Sequence, residues 1–249
     1  MTVVVQAKTR FWEIDTVRGI AIVMMITYHI LFDITFLGLY HIDLFTLPMR
    51  LFLYPIGTTF LILVGMGLTV SYEHKKQYLS SKQLLWKYIQ RGVLIFMLGM
   101  VLTVVTWFLV PDSFIMFGVL HCIGVCILLS YPFLHKSSIT LPLGLICILV
   151  GIALRTTLWG FPWLLWLGFI PQGFSTLDYF PLLPWFGVVL IGIYLGKLLY
   201  PHGKRGFNLP DFSANKAVMF LSLLGRHSLA IYFVHQPVIL LVLFIVQIW

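Results

Sequence analysis

Residues Asp15 to Leu39 read DTVRGIAIVMMITYHILFDITFLGL. The stretch is apolar and long enough to cross a bilayer, for which about 20 residues suffice. Yet it carries Asp15, Arg18, His29 and Asp33. A charged group at bilayer depth costs roughly 2.5 to 3.5 kcal/mol on insertion scales. Such groups are kept where they face other helices or a wet cavity, and by default they mark function. A helix turns about 100° per residue, so the eleven steps from Arg18 to His29 return to within about 20° of one direction. Asp15 stands three residues before Arg18, and Asp33 four after His29, which puts all four on one stripe. The alternative is a polar seam that only joins helices.

Composition places the whole chain in the same class. Of 249 residues, 60% are hydrophobic and only 10% are charged, against about 25% charged in a soluble domain. The fold expected is all-α, a polytopic transmembrane helix bundle, with residues 1–249 as a single membrane domain. The net charge of +8 is no sign of nucleic-acid binding, because the basic residues sit in short loops, where they set topology. The opening MTVVVQAKTR has no cleavable-signal character, so the first apolar segment is most simply a retained span. Cys122, Cys126 and Cys147 all lie inside apolar segments and bracket no loop. They read as small buried hydrophobes, and no metal site is expected.

About seven segments meet the length criterion for spans: 15–39, 47–72, 88–110, 113–134, 138–155, 180–200 and 217–247. Lys8, Arg10, His74, Lys75, Lys76, Lys82, Lys87, Lys136, Lys204, Arg205 and Lys216 fall on one side if these alternate. The positive-inside rule then puts the N-terminus in the cytoplasm and the C-terminus outside. Residues 156–179 are interrupted by Pro162 and Pro171 and carry Trp159, Trp163 and Trp166, which suit the membrane–water interface. They read as an interfacial or re-entrant piece on the outer side, either a plain aromatic belt or an acceptor-side lid; if they cross, the count is eight and the C-terminus flips. Residues 73–87 read as a basic connection with a short helix through Ser80–Lys87, and residues 201–216 as a turn-rich loop.

His29 is the strongest candidate for chemistry, since imidazole takes and returns a proton near neutral pH. Asp33, one turn on, is placed to accept from one ring nitrogen and leave the other as base, or simply marks the outer end of the helix. Arg18 lies about 16 Å toward the other end at 1.5 Å rise per residue, where it can hold a phosphate or pair with Asp15 alone. The last span repeats the pattern in LLGRHSLAIYFVHQPVILL, with Arg226 and His227 at its start, Ser228, Tyr232 and His235 on one face, and Pro237 kinking or ending the first half. His121 stands in MFGVLHCIGV and His41 in the outer loop GLYHIDLF. A lone histidine in an apolar helix is more often an interior hydrogen-bonded group, and His41 reads equally as a loop residue. No Walker A loop, GxGxxG, HExxH or GxSxG motif occurs.

These residues carry a resemblance. RFWEIDTVRGIAIVMMITYH resembles the first helix of the membrane acyltransferases, with the acyltransferase 3 spacing of Arg, ten residues, His in Arg18 and His29. FLYPIGTTFLILVGMGLTVSYEHK, GVLHCIGVCILLSY, DYFPLLPWFGVVLIGIYLG and LGRHSLAIYFVHQPVIL are similar to the heparan-alpha-glucosaminide N-acetyltransferase catalytic domain. The resemblance implies a helical bundle that takes acetyl- or another acyl-coenzyme A from the cytoplasm. It implies transfer to a hydroxyl or amine, often on a sugar, at the other face. It makes Arg18 and His29 a functional pair. That second group tends to carry Asn at the place of His29 and a catalytic histidine in the following loop, where His41 falls, so both histidines stand as the base.

The expectation is therefore a multi-pass acyl-coenzyme A dependent transferase of the cell membrane. His29, Asp33 and His41 are its candidate catalytic residues. Arg18, Lys87, Arg91, Arg226, His121 and His235 are candidates for holding the donor, whose phosphates need cations. The partners expected are acyl-coenzyme A, a sugar-type acceptor and the lipid bilayer, with no nucleic acid and with room for a homodimer. Two rivals use the same residues: a haem-bearing electron-transfer bundle with His29, His121 and His235 as ligands, and a small-solute transporter lined by the buried charges.

Overall fold

The computed structural model describes residues 10–44, 46–135 and 138–248, the last two in backbone only. Lys8 and Lys136, two of the topology-setting charges, lie outside the described residues, as does most of the opening segment. Eight α-helices occur among the described residues: α1 Trp12–Phe36, α2 Leu47–Lys75, α3 Ser81–Leu109, α4 Val119–Ser130, α5 Thr140–Arg155, α6 Leu182–Leu199, α7 Lys216–Arg226 and α8 Ser228–Ile248. Five of them, α1, α2, α3, α6 and α8, are long and apolar enough to cross a membrane, and α4 and α5 are shorter apolar helices. The chain is a polytopic helical membrane protein, as its composition requires.

Local chemistry moves several expected boundaries. Gly38 takes a left-handed φ of +71°, and the Leu37 N–H closes on the Asp33 carbonyl at 2.8 Å, so α1 stops at Phe36 and not at Leu39. The short helix expected through Ser80–Lys87 is the start of α3, whose Ser80 cap exchanges hydrogen bonds with Gln83. Of segment 113–134, only Val119–Ser130 is α-helical, followed by a 3-10 turn at Tyr131–Leu134. The expected span 217–247 is two helices. The Asn215 side chain caps α7 through the N–H groups of Ala217 and Val218, and the His227 ring closes its end on the Leu223 carbonyl at 2.9 Å. Beyond this break α8 runs straight through Pro237, which therefore does not end it; apolar surroundings and neighbouring helices tolerate the missing N–H.

The chain forms two compact units, residues 1–60 with 209–249, and residues 61–208. In the first, α1 and α7 approach until their backbones touch. A Cβ on Gly19 would overlap the Leu221 carbonyl, and one on Gly225 the Asp15 carbonyl. Helices in lipid gain nothing by hiding apolar surface from water, so close van der Waals approach at small residues joins them. Thr16 and Ser222 hydroxyls meet at 2.8 Å across the same seam. Beside it Ile22, Met25 and Ile56 form a buried cluster.

The second unit packs α3 on α4 and α5 on α6 around a core of Leu61, Leu68, Ile127, Val189, Leu190 and Ile193. Residues 156–179 are loop, with helical geometry only in the turn Leu165–Leu167, so they are no spanning helix. The loop is fixed to the α3–α4 connection. Leu177 N–H donates to Ser113 O at 2.8 Å, Thr176 Oγ1 to Phe114 O at 2.8 Å, and Phe180 N–H to Phe117 O at 3.0 Å. Asp178 Oδ2 accepts from Val119 N–H at 2.8 Å, capping α4. Tyr179 donates to Leu165 O at 2.8 Å, and burial pushes its phenol up to about 12.

Candidate active site

The stripe on α1 is turned inward. Asp15 and Asp33 are buried, and Arg18 and His29 are partly so. Its partners come from α7 and α8.

At one end the two carboxylate oxygens of Asp15 meet two guanidinium groups. Arg18 Nη1 lies 3.0 Å from Oδ1 and Arg226 Nε 3.4 Å from Oδ2. Two guanidinium groups thus converge on one buried carboxylate, one on each of its oxygens. Arg18 makes the internal pair that its spacing allowed.

Near the other end, α1 and α8 bring two imidazoles together. The rings of His29 and His235 stand edge to face with centroids 4.7 Å apart. Each is held by its own helix: Nδ1 of His29 lies 2.8 Å from the Met25 carbonyl, and Nδ1 of His235 lies 2.7 Å from the Tyr232 carbonyl. A carbonyl can only accept, so both Nδ1 atoms carry the proton and both Nε2 atoms present a lone pair. The Nε2 of His235 is buried and has no hydrogen-bond partner in the structure. Two positioned imidazole lone pairs within one contact suit the removal of a proton from an incoming hydroxyl or amine. An open apolar cavity of about 410 Å³ abuts His235, lined by Ile26, Ile231, Val234, Val238 and Ile239.

Asp33 does not orient His29 by a hydrogen bond in this arrangement. Its carboxylate accepts from Gln236 Nε2, at 2.8 Å to Oδ1 and 2.9 Å to Oδ2. Gln236 follows His235 directly, so the clamp fixes α8 against α1 beside the imidazole pair. Gln236 escapes a sequence reading because a neutral amide carries no charge to flag it; its signal was the polar pair His–Gln inside an apolar run.

The remaining candidates sit elsewhere. His41 is exposed in the loop after α1. Lys87 and Arg91 are exposed on α3 of the second unit. His121, in the same unit, is buried and engaged at both nitrogens: Gly118 N–H donates to Nδ1 at 3.2 Å, and Nε2 lies 3.3 Å from Thr103 Oγ1. Thr103 spends its own proton on the Ile115 carbonyl at 2.7 Å, so Nε2–H is the donor. His121 is the interior, hydrogen-bonded histidine that such helices commonly carry.

Fold and site together define a multi-pass membrane protein with a buried candidate acid–base centre. Residues 10–237 match the family model described as heparan-alpha-glucosaminide N-acetyltransferase, catalytic, and the chain belongs to that family. The match runs from Arg10, two residues before α1, to Pro237, and so takes in the whole imidazole pair and the Gln236 clamp. No curated protein and no solved structure matches. The family and the apolar helices make this a membrane transferase of the acyltransferase type.

Proposed function

We propose that residues 1–249 act as one acyltransferase domain in the cell membrane, moving an acetyl or other acyl group from cytoplasmic acyl-coenzyme A to a hydroxyl or amine of a sugar presented at the outer face. The juxtaposition of His29 and His235 carries this reading. His29 Nε2 takes the proton from the acceptor oxygen or nitrogen as that atom bonds to the thioester carbonyl carbon. The carbon–sulfur bond then breaks, and the coenzyme A thiolate leaves with its electron pair. His235 shares the proton. Asp33 and Gln236 position the two helices, and the loop histidine His41 is the competing base. Arg18 and Arg226 are the candidates in the first unit for meeting the donor phosphates; Lys87 and Arg91 are further candidate cations in the second unit, where His121 supports its own unit.

The test is purified protein supplied with radiolabelled acetyl-coenzyme A and a panel of sugar acceptors, beside His29→Ala, His235→Ala and His41→Ala. The expected outcome is acetylated sugar from the wild type and loss in His29→Ala and His235→Ala. Loss in His41→Ala alone moves the base to the loop. Full turnover in all three variants sinks the assignment.

A further inference from the structure

The second unit holds a polar cavity that the imidazole pair does not use. It is about 430 Å³, and its lining includes Tyr72, Glu73, Lys76, His135, Lys197 and His202. These come from the last turn of α2 and the residue just after it, from the last turn of α6, from the residue after Leu134, and from the 3-10 turn Pro201–Gly203. Four stretches of sequence thus deliver ionisable side chains to one cavity of this unit.

Charge and shape say what the cavity takes. Glu73 is buried, and Lys76 Nζ reaches it at 2.7 Å. Lys197 lies within electrostatic range of both. Two lysines against one carboxylate leave a single positive charge in excess, which disfavours a cation and an uncharged apolar ligand alike. His135 packs edge-on to Tyr72 at 4.9 Å, and Lys76 Nζ sits 5.7 Å from the centre of that ring. The cations and imidazoles are therefore ranged along an aromatic wall. The volume falls within the range of ordinary ligand pockets, about 300–1,000 Å³, and exceeds what a lone phosphate fills.

His202 adds an independent observation. It is a non-glycine residue in the left-handed region, at φ +53°, followed by Gly203 at +75°. The left-handed φ of Gly203 favours glycine, and a Cβ there would meet the tip of the His74 ring at 2.9 Å, so this turn lies close against α2. Residues held in such a conformation persist where their surroundings over-determine them, and they gather at ligand clamps. Lysines at helix C-termini also offset the helix dipole. That role requires neither a cavity nor imidazoles converging from two separate turns.

We propose that this cavity binds a phosphate ester carried on a larger ligand. Lys76, Lys197, His135 and His202 donate to the phosphate oxygens, and Tyr72 packs against the remainder. Two sources share this chemistry. One is the phosphorylated nucleotide end of coenzyme A, which rests on the donor proposed above and sets its phosphates here instead of at Arg18 and Arg226; the other is an anionic lipid headgroup.

The full chain in phosphatidylcholine nanodiscs is titrated calorimetrically with adenosine 3′,5′-bisphosphate and with coenzyme A. Lys197→Gln, Lys76→Gln, the milder His202→Gly and the exposed control Lys82→Gln run alongside. Binding is expected in the wild type and in Lys82→Gln, with affinity about tenfold lower in each lysine variant of the cavity, the loss of one charge-assisted contact. His202→Gly keeps the turn and loses the imidazole, so it weakens binding without unfolding the segment. If neither nucleotide binds, but phosphatidylglycerol retained from mixed nanodiscs falls in Lys197→Gln, the phosphate is the lipid's. A wild-type chain that binds the bisphosphate yet transfers no acyl group sinks the donor reading and leaves this site standing. Affinities equal within twofold across the cavity variants, or no phosphate bound from either source, overturn the proposal.

Discussion

The side-chain nitrogen of Gln236 lies 2.8 and 2.9 Å from the two carboxylate oxygens of Asp33, joining α8 to α1 across a sequence separation of 203. Asp33 is 1% exposed, so water cannot replace a lost partner. Gln236→Leu should therefore destabilise the protein by about 1–3 kcal/mol or more, the desolvation cost of a stranded buried acceptor. Asp33→Asn should cost less, because the two amides can still pair. Thermal unfolding in detergent reads both. Equal melting temperatures for Gln236→Leu and the wild type would show that the clamp carries no stability.

Gly19 and Gly225 set how near α7 comes to α1. A side chain at either place falls on a carbonyl of the other helix, and backbone cannot yield as a flexible side chain does. Gly19→Val or Gly225→Val should force α7 off the seam that holds Thr16 against Ser222, costing about 1–3 kcal/mol or more for overpacking. The expected result is a lower melting temperature and a broadened elution profile on size exclusion. Gly67→Ala, where nothing lies within 4 Å, should behave as the wild type does.

Asp178 lies in the loop 156–179, yet its carboxylate caps α4 at the Val119 N–H. A negative group there satisfies an orphan donor and complements the helix dipole. Asp178→Ala should cost about 0.5–2 kcal/mol, the usual worth of such a cap. Hydrogen exchange should quicken first at the start of α4, near His121. Faster exchange confined to the loop, with α4 as protected as before, would show that the cap does not hold the helix.

What the sequence made legible follows from how local each signal is. Four charged or titratable residues on one face of α1 announce themselves by spacing alone, and the structure turns that face inward. The break at His227 was hidden because Arg226 and His227 look like the start of a single span; a cap made by a ring on a carbonyl four residues back has no distinctive spelling. His235 reads from its own helix as a donor contact. Its true neighbour is His29, and that pairing depends on the register of α8 against α1, which no local pattern encodes. Gln236 is silent for the same reason: its worth lies wholly in a carboxylate two hundred positions away.

The imidazole pair makes the sharpest kinetic prediction. General-base catalysis contributes about 10²–10⁴ in rate, so His29→Ala should lower kcat for acyl transfer by about that factor. If His29 and His235 work as one unit at 4.7 Å, removing the second after the first should cost little more, since groups that act together are strongly non-additive. His29→Ala, His235→Ala and the double variant should then lie within about tenfold of one another in kcat, with the KM for acyl-coenzyme A little changed. Arg18→Ala separates the two ends of the stripe: loss of a guanidinium that meets the donor should raise that KM and spare kcat. Additive losses in the double histidine variant would mean two independent roles, and an Arg18→Ala enzyme with unchanged KM would leave Arg18 a structural role beside Asp15.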